Sequence, residues 1–238
     1  MTSPHDDSQV WDPFGTLGRA LWIGGGQWAG KSTVARLLAA RYGLTAYHYD
    51  YHDIRAHNDR RIARRLALGQ SPADPDLEDV WVHTTPAEMA AQTLAGFPVR
   101  FEWALDDLRA LVSGRPVLAE GWGLRPEFVA PIAGSPRRMV VMVPTEAFRA
   151  WQVRSLPRAA TFDHEVSDPV RAQRNRLERD RLVADDAVRS ARRLGVRVIE
   201  VDGSRDADAV ADLVADHFRP YLPPLEGLAA ERKGRPPA

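Results

Sequence analysis

The sequence predicts an α/β fold, a doubly wound sheet of five parallel strands, from three observations. Short apolar runs alternate with amphipathic helical patterns along most of the 238 residues, as they do in successive βαβ units. The runs 116–121 and 138–143 are apolar almost throughout, the pattern of parallel strands covered on both faces. A glycine-rich turn, Gly24-Gly25-Gly26 through Gly30-Lys31-Ser32, separates the first run from the first helical pattern, and such a turn presents backbone N–H groups and a helix N-terminus to one anion.

In chain order, residues 1–17 read as an N-terminal tail, polar over 1–9. Strand one covers 20–23 and the first helix 32–42, with Val34, Leu37, Leu38 and Arg41 in helical register. Gly43 supplies the C-cap, and 44–49 reads as strand two, ending at Asp50. Asp53 is expected to cap a helix running to about Leu68, stopped by Gly69. Residues 70–79, rich in Pro and Asp, form a loop. Thr85-Pro86 opens a short helix to about Leu94. A second helix, 101–112, places Phe101, Leu105, Leu108 and Val112 on one face, and Ser113-Gly114 ends it. Strand three is 116–121 and strand four 138–143. Residues 145–155 are helical by pattern and 156–167 a loop, after which Asp168-Pro169 caps a long arginine-rich helix that Gly195 terminates. Strand five is 196–201, the closing helix 207–218, and the prolines and charges of 220–238 mark a C-terminal tail.

Composition narrows the function. Hydrophobic residues at 44% and charged residues at 27% are ordinary for a soluble globular chain, so no membrane partner is expected. A formal net charge of zero gives no whole-molecule field for nucleic acid. With no Cys, disulfide and thiolate chemistry are excluded, and a zinc site would need His and carboxylates alone. No basic segment followed by an apolar stretch opens the chain, so a cytoplasmic location is expected. The chain holds 30 Arg and only two Lys, Lys31 and Lys233, so the folded body uses a lysine where a compact charge on a flexible stem suits a phosphate.

Gly25, then four residues, then Gly30-Lys31-Ser32 is the G-x-x-x-x-G-K-[ST] spacing of a phosphate-binding P-loop. Glycines let backbone N–H groups close around phosphate oxygens, and the helix that follows points its positive end at them. Lys31 is expected to reach the β- and γ-phosphates of ATP, and the Ser32 hydroxyl to ligate Mg²⁺. The expected nucleotide-binding residues are therefore Gly25, Gly26, Gln27, Trp28, Ala29, Gly30, Lys31, Ser32 and Thr33.

Asp50 stands at the carboxyl end of a strand, the side on which open α/β sheets bind ligands. A carboxylate there accepts the proton of an attacking hydroxyl; read more plainly, it caps the next helix. Glu120 is a candidate to hold Mg²⁺ or position a substrate, or else an ordinary strand-end carboxylate. The helix after Asp168 carries Arg171, Asn175 and Arg179 on one face and Arg174 and Arg181 on another, with Arg176 between. Guanidinium forks match phosphate oxygens, and Arg174 and Arg179 are the chosen catalytic arginines; pairing with Glu178, Asp180, Asp185 and Asp186 on a solvated face is the alternative. Arg55, Arg60 and Arg125 are candidates for an anionic acceptor. His48, His52 and His57 do not share a helix face, and the first lies in a strand, so no metal site is expected there.

The P-loop on strand one, Asp50 after strand two, Glu120-Gly121 after strand three and the arginines between strands four and five make residues 18–218 resemble the nucleotide- and small-molecule-kinase branch of the P-loop superfamily, which includes adenylate, shikimate and gluconate kinases. Asp50, within Tyr49-Asp50-Tyr51, also resembles the substrate-hydroxyl-binding Asp of chloramphenicol phosphotransferase and zeta-toxin kinases. The resemblance implies a P-loop NTPase three-layer sandwich with strand order 2-3-1-4-5, in a kinase domain spanning 18–219. It also implies a helical acceptor-binding insertion containing Trp81, Phe97, Phe101 and Trp103, with Trp122 beside it, although such aromatics equally read as core. An arginine-rich lid is expected at about 156–181, and adenine is expected against Asp202-Gly203-Ser204-Arg205. The expected activity is ATP- and Mg²⁺-dependent phosphoryl transfer to a hydroxyl of a small-molecule acceptor, with Asp50 orienting or deprotonating it. The alternatives are a nucleoside or nucleoside-monophosphate kinase, which needs an arginine pair such as Arg55 with Arg125, and a nucleotide-dependent regulatory P-loop NTPase.

Overall fold

The computed structural model describes residues 10–156, 162 and 164–224. The expected tails 1–9 and 225–238, and residues 157–161 and 163 of the expected lid, lie outside the described residues. The strands are β1 (Leu21–Gly25), β2 (Thr45–His48), β3 (Val117–Glu120), β4 (Met139–Pro144) and β5 (Arg197–Val201). They form one parallel sheet in the order β2-β3-β1-β4-β5. The chain therefore has the α/β P-loop fold, with β1, β3 and β4 buried along their whole length.

The helices are α1 (Thr16–Arg19), α2 (Lys31–Tyr42), α3 (Tyr49–Tyr51), α4 (Asn58–Ala67), α5 (Pro86–Ala110), α6 (Pro126–Val129), α7 (Glu146–Ser155), α8 (Pro169–Arg193) and α9 (Ala207–Phe218). Helix α3 runs on as a π-turn over His52–Ala56, and a second π-turn covers Asp79–His83. Alternate residues of each strand face opposite layers. Trp22, Ala119 and Val141 pack with Phe101, Leu105 and Leu108 of α5 and Ala184, Ala187 and Ala191 of α8. Leu21, Ile23, Leu118, Val140 and Met142 pack with Val34 and Leu38 of α2 and Val210, Val214 and Phe218 of α9. No helix among the described residues is long and apolar enough to cross a membrane.

Three local expectations are corrected. The two helices expected over 85–94 and 101–112 are one continuous 25-residue helix, α5, which carries Pro98 in its interior and leaves Val112 beyond its end, 81% exposed. Thr85 caps α5 in a reciprocal capping box with Glu88. Asp53 is not a cap: it is buried in the first π-turn, with its Oδ2 2.9 Å from Arg100 Nη1, and α4 starts only at Asn58. Residues 10–17, expected in the N-terminal tail, are docked, since Leu17 is buried in the core and Arg109 Nε donates to the Trp11 carbonyl at 3.1 Å.

Register positions the site. Ile23 of β1 pairs with Glu120 of β3, and Glu120 pairs with His48 of β2. The residues that follow, Gly24 to Gly26, Asp50 and Gly121-Trp122, consequently emerge together at the carboxyl end of the sheet.

Candidate active site

The glycine loop is shaped by close approach and by strain. A Cβ on Gly25, at φ 116°, would lie 2.1 Å from the Met142 carbonyl oxygen, so only glycine lets β1 leave the sheet beside β4. Gly30 follows at φ 76°, and Trp28, at φ 68°, is the one non-glycine residue with positive φ among the described residues. Such a conformation costs on the order of 1–3 kcal/mol and persists only where neighbours impose it. The neighbours here are Gln152 of α7, whose Nε2 donates to the Trp28 carbonyl at 3.1 Å, and Asp180 of α8, which accepts from the Trp28 side chain. The loop frames a cavity of about 240 Å³ lined by Gln27, Trp28, Gly30, Lys31, Ser32, Thr33 and, from the β2 side, Asp50. Lys31 is buried, and its Nζ donates to the Gly26 carbonyl at 2.8 Å.

Two carboxylates face this loop. Glu120, 1% exposed, accepts from the Ser32 hydroxyl at 3.0 Å through Oε1, which also lies 2.8 Å from His48 Nδ1. Its Oε2 is buried with no hydrogen-bond partner among the described residues. A hard divalent cation is matched by this hydroxyl and carboxylate pair, which offers oxygen donors, one of them the unpartnered Oε2. Asp50 Oδ1 accepts the Trp122 N–H at 3.0 Å. That bond needs the turn after β3 to lie flat on Tyr49, and a Cβ on Gly123 would sit 2.1 Å from the Tyr49 ring. Burial raises the Asp50 pKa, Lys31 opposes the rise and Glu120 adds to it. A carboxyl group with a raised pKa at the edge of a phosphate-sized cavity has the character of a general base.

The arginines of α8 divide as their spacing predicts. Arg174 and Arg181 line a separate hollow against α7, where Arg181 pairs with Glu178 and Asp185, each at 2.6 Å. Asn175 and Arg179 turn the other way: Asn175 Nδ2 donates to the Trp81 carbonyl at 3.0 Å, and the Arg179 guanidinium lies 5.1 Å from the Trp81 ring and 5.3 Å from the Trp122 ring. Arg179 also pairs with Asp180 at 2.8 Å. Arg176 of α8 lies 5.9 Å from the Trp28 ring of the glycine loop and 6.0 Å from Phe162, with Nε and Nη2 buried and without a hydrogen-bond partner among the described residues. Spacing on α8 did not single it out, because the rotation of the helix against the loop is a tertiary matter.

The other candidates scatter. Arg125 is 0% exposed and is consumed by Glu127, Asp186 and the Val183 carbonyl, which corrects its expected role at an acceptor. Arg55 is exposed on the first π-turn, and Arg60 pairs weakly with Asp106 at 3.8 Å. Phe97 and Phe101 are core residues, whereas Trp81 and Trp122 border Arg179 and Trp103 meets the His57 ring edge-on. A second cavity, of about 150 Å³, opens behind the loop between Ala29, Thr33, Val34, Phe148, Val201, Arg205 and Val210. Phe148 stacks on Trp151 and gives this cavity an aromatic wall, a feature with no signature in the sequence.

No protein-family model matches the chain, and no curated protein matches it. Among solved structures it is similar to the shikimate kinase of Aquifex aeolicus vf5, at 16% identity over 90% of this chain and 98% of that one, with a TM-score of 0.37. It is likewise similar to the shikimate kinase of Acinetobacter baumannii in complex with shikimate, at 16% identity over 86% of this chain and 96% of that one, with a TM-score of 0.43. What fixes the fold is the strand order itself, with the glycine loop set between β1 and α2.

Proposed function

We propose that the chain is an ATP- and Mg²⁺-dependent kinase that phosphorylates a hydroxyl group of a small molecule. The observation that carries this reading is the shared cavity in which Asp50 faces Lys31 and Ser32 across about 240 Å³. Backbone N–H groups of Gln27 to Ser32 and the Lys31 ammonium hold the nucleotide phosphates. Ser32 and Glu120 hold Mg²⁺, which supplies charge neutralisation at the transferred group. Asp50 accepts the proton of the acceptor hydroxyl and keeps the attacking oxygen in line. Arg176, desolvated beside Trp28, answers the charge that develops on the phosphoryl oxygens, with Arg179 behind it. The adenine base fits between Phe148 and the Val201, Arg205 and Val210 wall.

The nucleoside-monophosphate alternative is disfavoured because Arg125, half of its acceptor-phosphate clamp, is fully buried in ion pairs. A slow regulatory NTPase has no use for a carboxyl group made basic by burial at the acceptor side of the loop. The test is ADP release from Mg·ATP across hydroxylated metabolites, antibiotics, nucleosides and nucleoside monophosphates, with Lys31→Ala as the blank. Stimulation by one hydroxylated class, lost by about 10²–10³-fold in Lys31→Ala, is expected. Stimulation confined to nucleoside monophosphates, or turnover that ignores Lys31, would overturn the reading.

A further inference from the structure

Away from the glycine loop, three side chains converge on one point at the outer edge of the sheet. His52 opens the π-turn after α3 and His57 follows its last residue, while Asp107 stands on α5. Five residues along an α-helix is a rotation of about 140° beyond a full turn, which would separate the two rings. Here the His57 N–H donates to the His52 carbonyl at 2.9 Å, an i→i+5 bond that winds the chain more widely and brings both rings to the same side. The π-turn thus overturns the spacing argument against a metal at these histidines.

The geometry is that of a ligand set. His57 Nε2 lies 2.7 Å and His52 Nδ1 3.2 Å from the same Asp107 oxygen, Oδ2, and all three atoms fall within 4.8 Å of one another. A tetrahedral zinc ion with nitrogen and oxygen ligands at about 2.0–2.2 Å places its ligand atoms roughly 3.3–3.6 Å apart, so small rotations of the rings suffice to admit it. The rings are already held in place: His52 stacks on Tyr47 at 4.4 Å and His57 meets Trp103 edge-on at 5.7 Å. The Tyr47 hydroxyl donates to Asp107 Oδ2 at 2.8 Å, the kind of outer hydrogen bond that fixes a ligating carboxylate. Arg60 approaches the other carboxylate oxygen at 4.0 Å. His57 is buried, whereas the side chains of His52 and Asp107 are 33% and 22% exposed, so one side of the cluster is open to water.

We propose that His52 Nδ1, His57 Nε2 and Asp107 Oδ2 form a zinc site with water as fourth ligand. Two imidazole nitrogens and one carboxylate oxygen are a donor set suited to zinc, and the site staples the π-turn, which begins two residues after Asp50, to α5. Binding is read without any turnover, so the proposal stands or falls independently of the kinase reading. Chelator-stripped protein is titrated with Zn²⁺ alone by equilibrium dialysis and metal analysis, and separately with Co²⁺ by visible absorption. One tightly held zinc per chain is expected, together with the ligand-field bands of tetrahedral Co²⁺ and a higher thermal midpoint with zinc present. His52→Ala and Asp107→Asn, at partly exposed positions, are expected to lose that equivalent with native circular dichroism retained. Tyr47→Phe, which keeps all three ligands, is expected to weaken binding about tenfold. No bound zinc in the native protein, or an equivalent undiminished by all three substitutions, would overturn the site.

Discussion

Asp50 sets chemistry against stability within one residue. Its pKa is raised by burial, lowered by Lys31 and raised again by Glu120, with the rise prevailing. For a carboxyl group whose folded pKa lies above its unfolded value, the unfolded chain holds fewer protons between the two values, so stability falls as pH rises through that window and stays lower above it. Asp50→Asn keeps an oxygen to accept the Trp122 N–H and removes the charge that burial opposes. The substitution is therefore expected to raise the thermal midpoint at neutral pH while lowering acceptor phosphorylation by about 10²–10⁴-fold, with ADP binding kept. With Asp50 as the proposed base, the acid limb of the native protein's kcat is expected above the ordinary carboxylate range near pH 4, and that limb is expected to disappear from the residual activity of Asp50→Asn. A midpoint no higher than that of the native protein would show that burial does not oppose the Asp50 charge. Of this arrangement the sequence displays only the strand-end carboxylate, because the raised pKa comes from neighbours on β3 and the glycine loop that approach only in three dimensions.

Helix α5 shows how an element hides from a one-dimensional pattern. Pro98 lacks an N–H and its ring crowds the carbonyl one turn back, a local penalty of about 3 kcal/mol that reads as a helix boundary. The chain nevertheless continues, because Phe97 and Phe101 on either side are buried in the core. Arg100 Nε donates to Gly96 O at 3.1 Å and Nη2 to Thr93 O at 2.9 Å, while Nη1 reaches Asp53 in the π-turn at 2.9 Å. One guanidinium thus ties two carbonyls of α5 to the π-turn and neutralises a buried carboxylate. Arg100→Met retains most of the stem's packing but leaves Asp53 with Arg61 at 3.9 Å as its remaining cation, and it is expected to cost about 3–5 kcal/mol. Urea unfolding measures this as a lower midpoint with an unchanged slope. A loss under 1 kcal/mol would mean that Asp53 relaxes toward water. The π-turns were illegible for a related reason: a 3.6-residue period carries no trace of a single i→i+5 bond, and Asp53 therefore read as a cap.

At the scale of the molecule, the five parallel strands and the glycine loop were legible because both follow from backbone chemistry, whereas the strand order was implied by the family resemblance alone. Continuous apolar strands must be covered twice, and a loop that encloses phosphate must have glycines where β4 presses on it, as Met142 does on Gly25. The place of Arg176 beside Trp28 and the Phe148 wall were not legible, since each depends on how helices from both layers rotate against the loop. Those layers meet at the loop: Gln152 of α7 and Asp180 of α8 hold Trp28, Ser32 at the start of α2 holds Glu120 of β3, and Gly26 N–H donates to Met142 O of β4 at 2.9 Å. A ligand that binds only the assembled loop therefore acts on the unfolding of the whole chain. Mg·ADP at about 100 times its Kd adds about 2.7 kcal/mol. For a chain of this length each kcal/mol is worth about 2–4 °C, so the thermal midpoint is expected to rise by about 5–10 °C. Lys31→Ala removes the cation that lines the loop cavity and is expected to abolish most of that rise at the same concentration. Should the substituted protein respond as strongly as the native one, the phosphates bind elsewhere, for which the hollow lined by Arg149, Arg189 and Arg192 is the competing site.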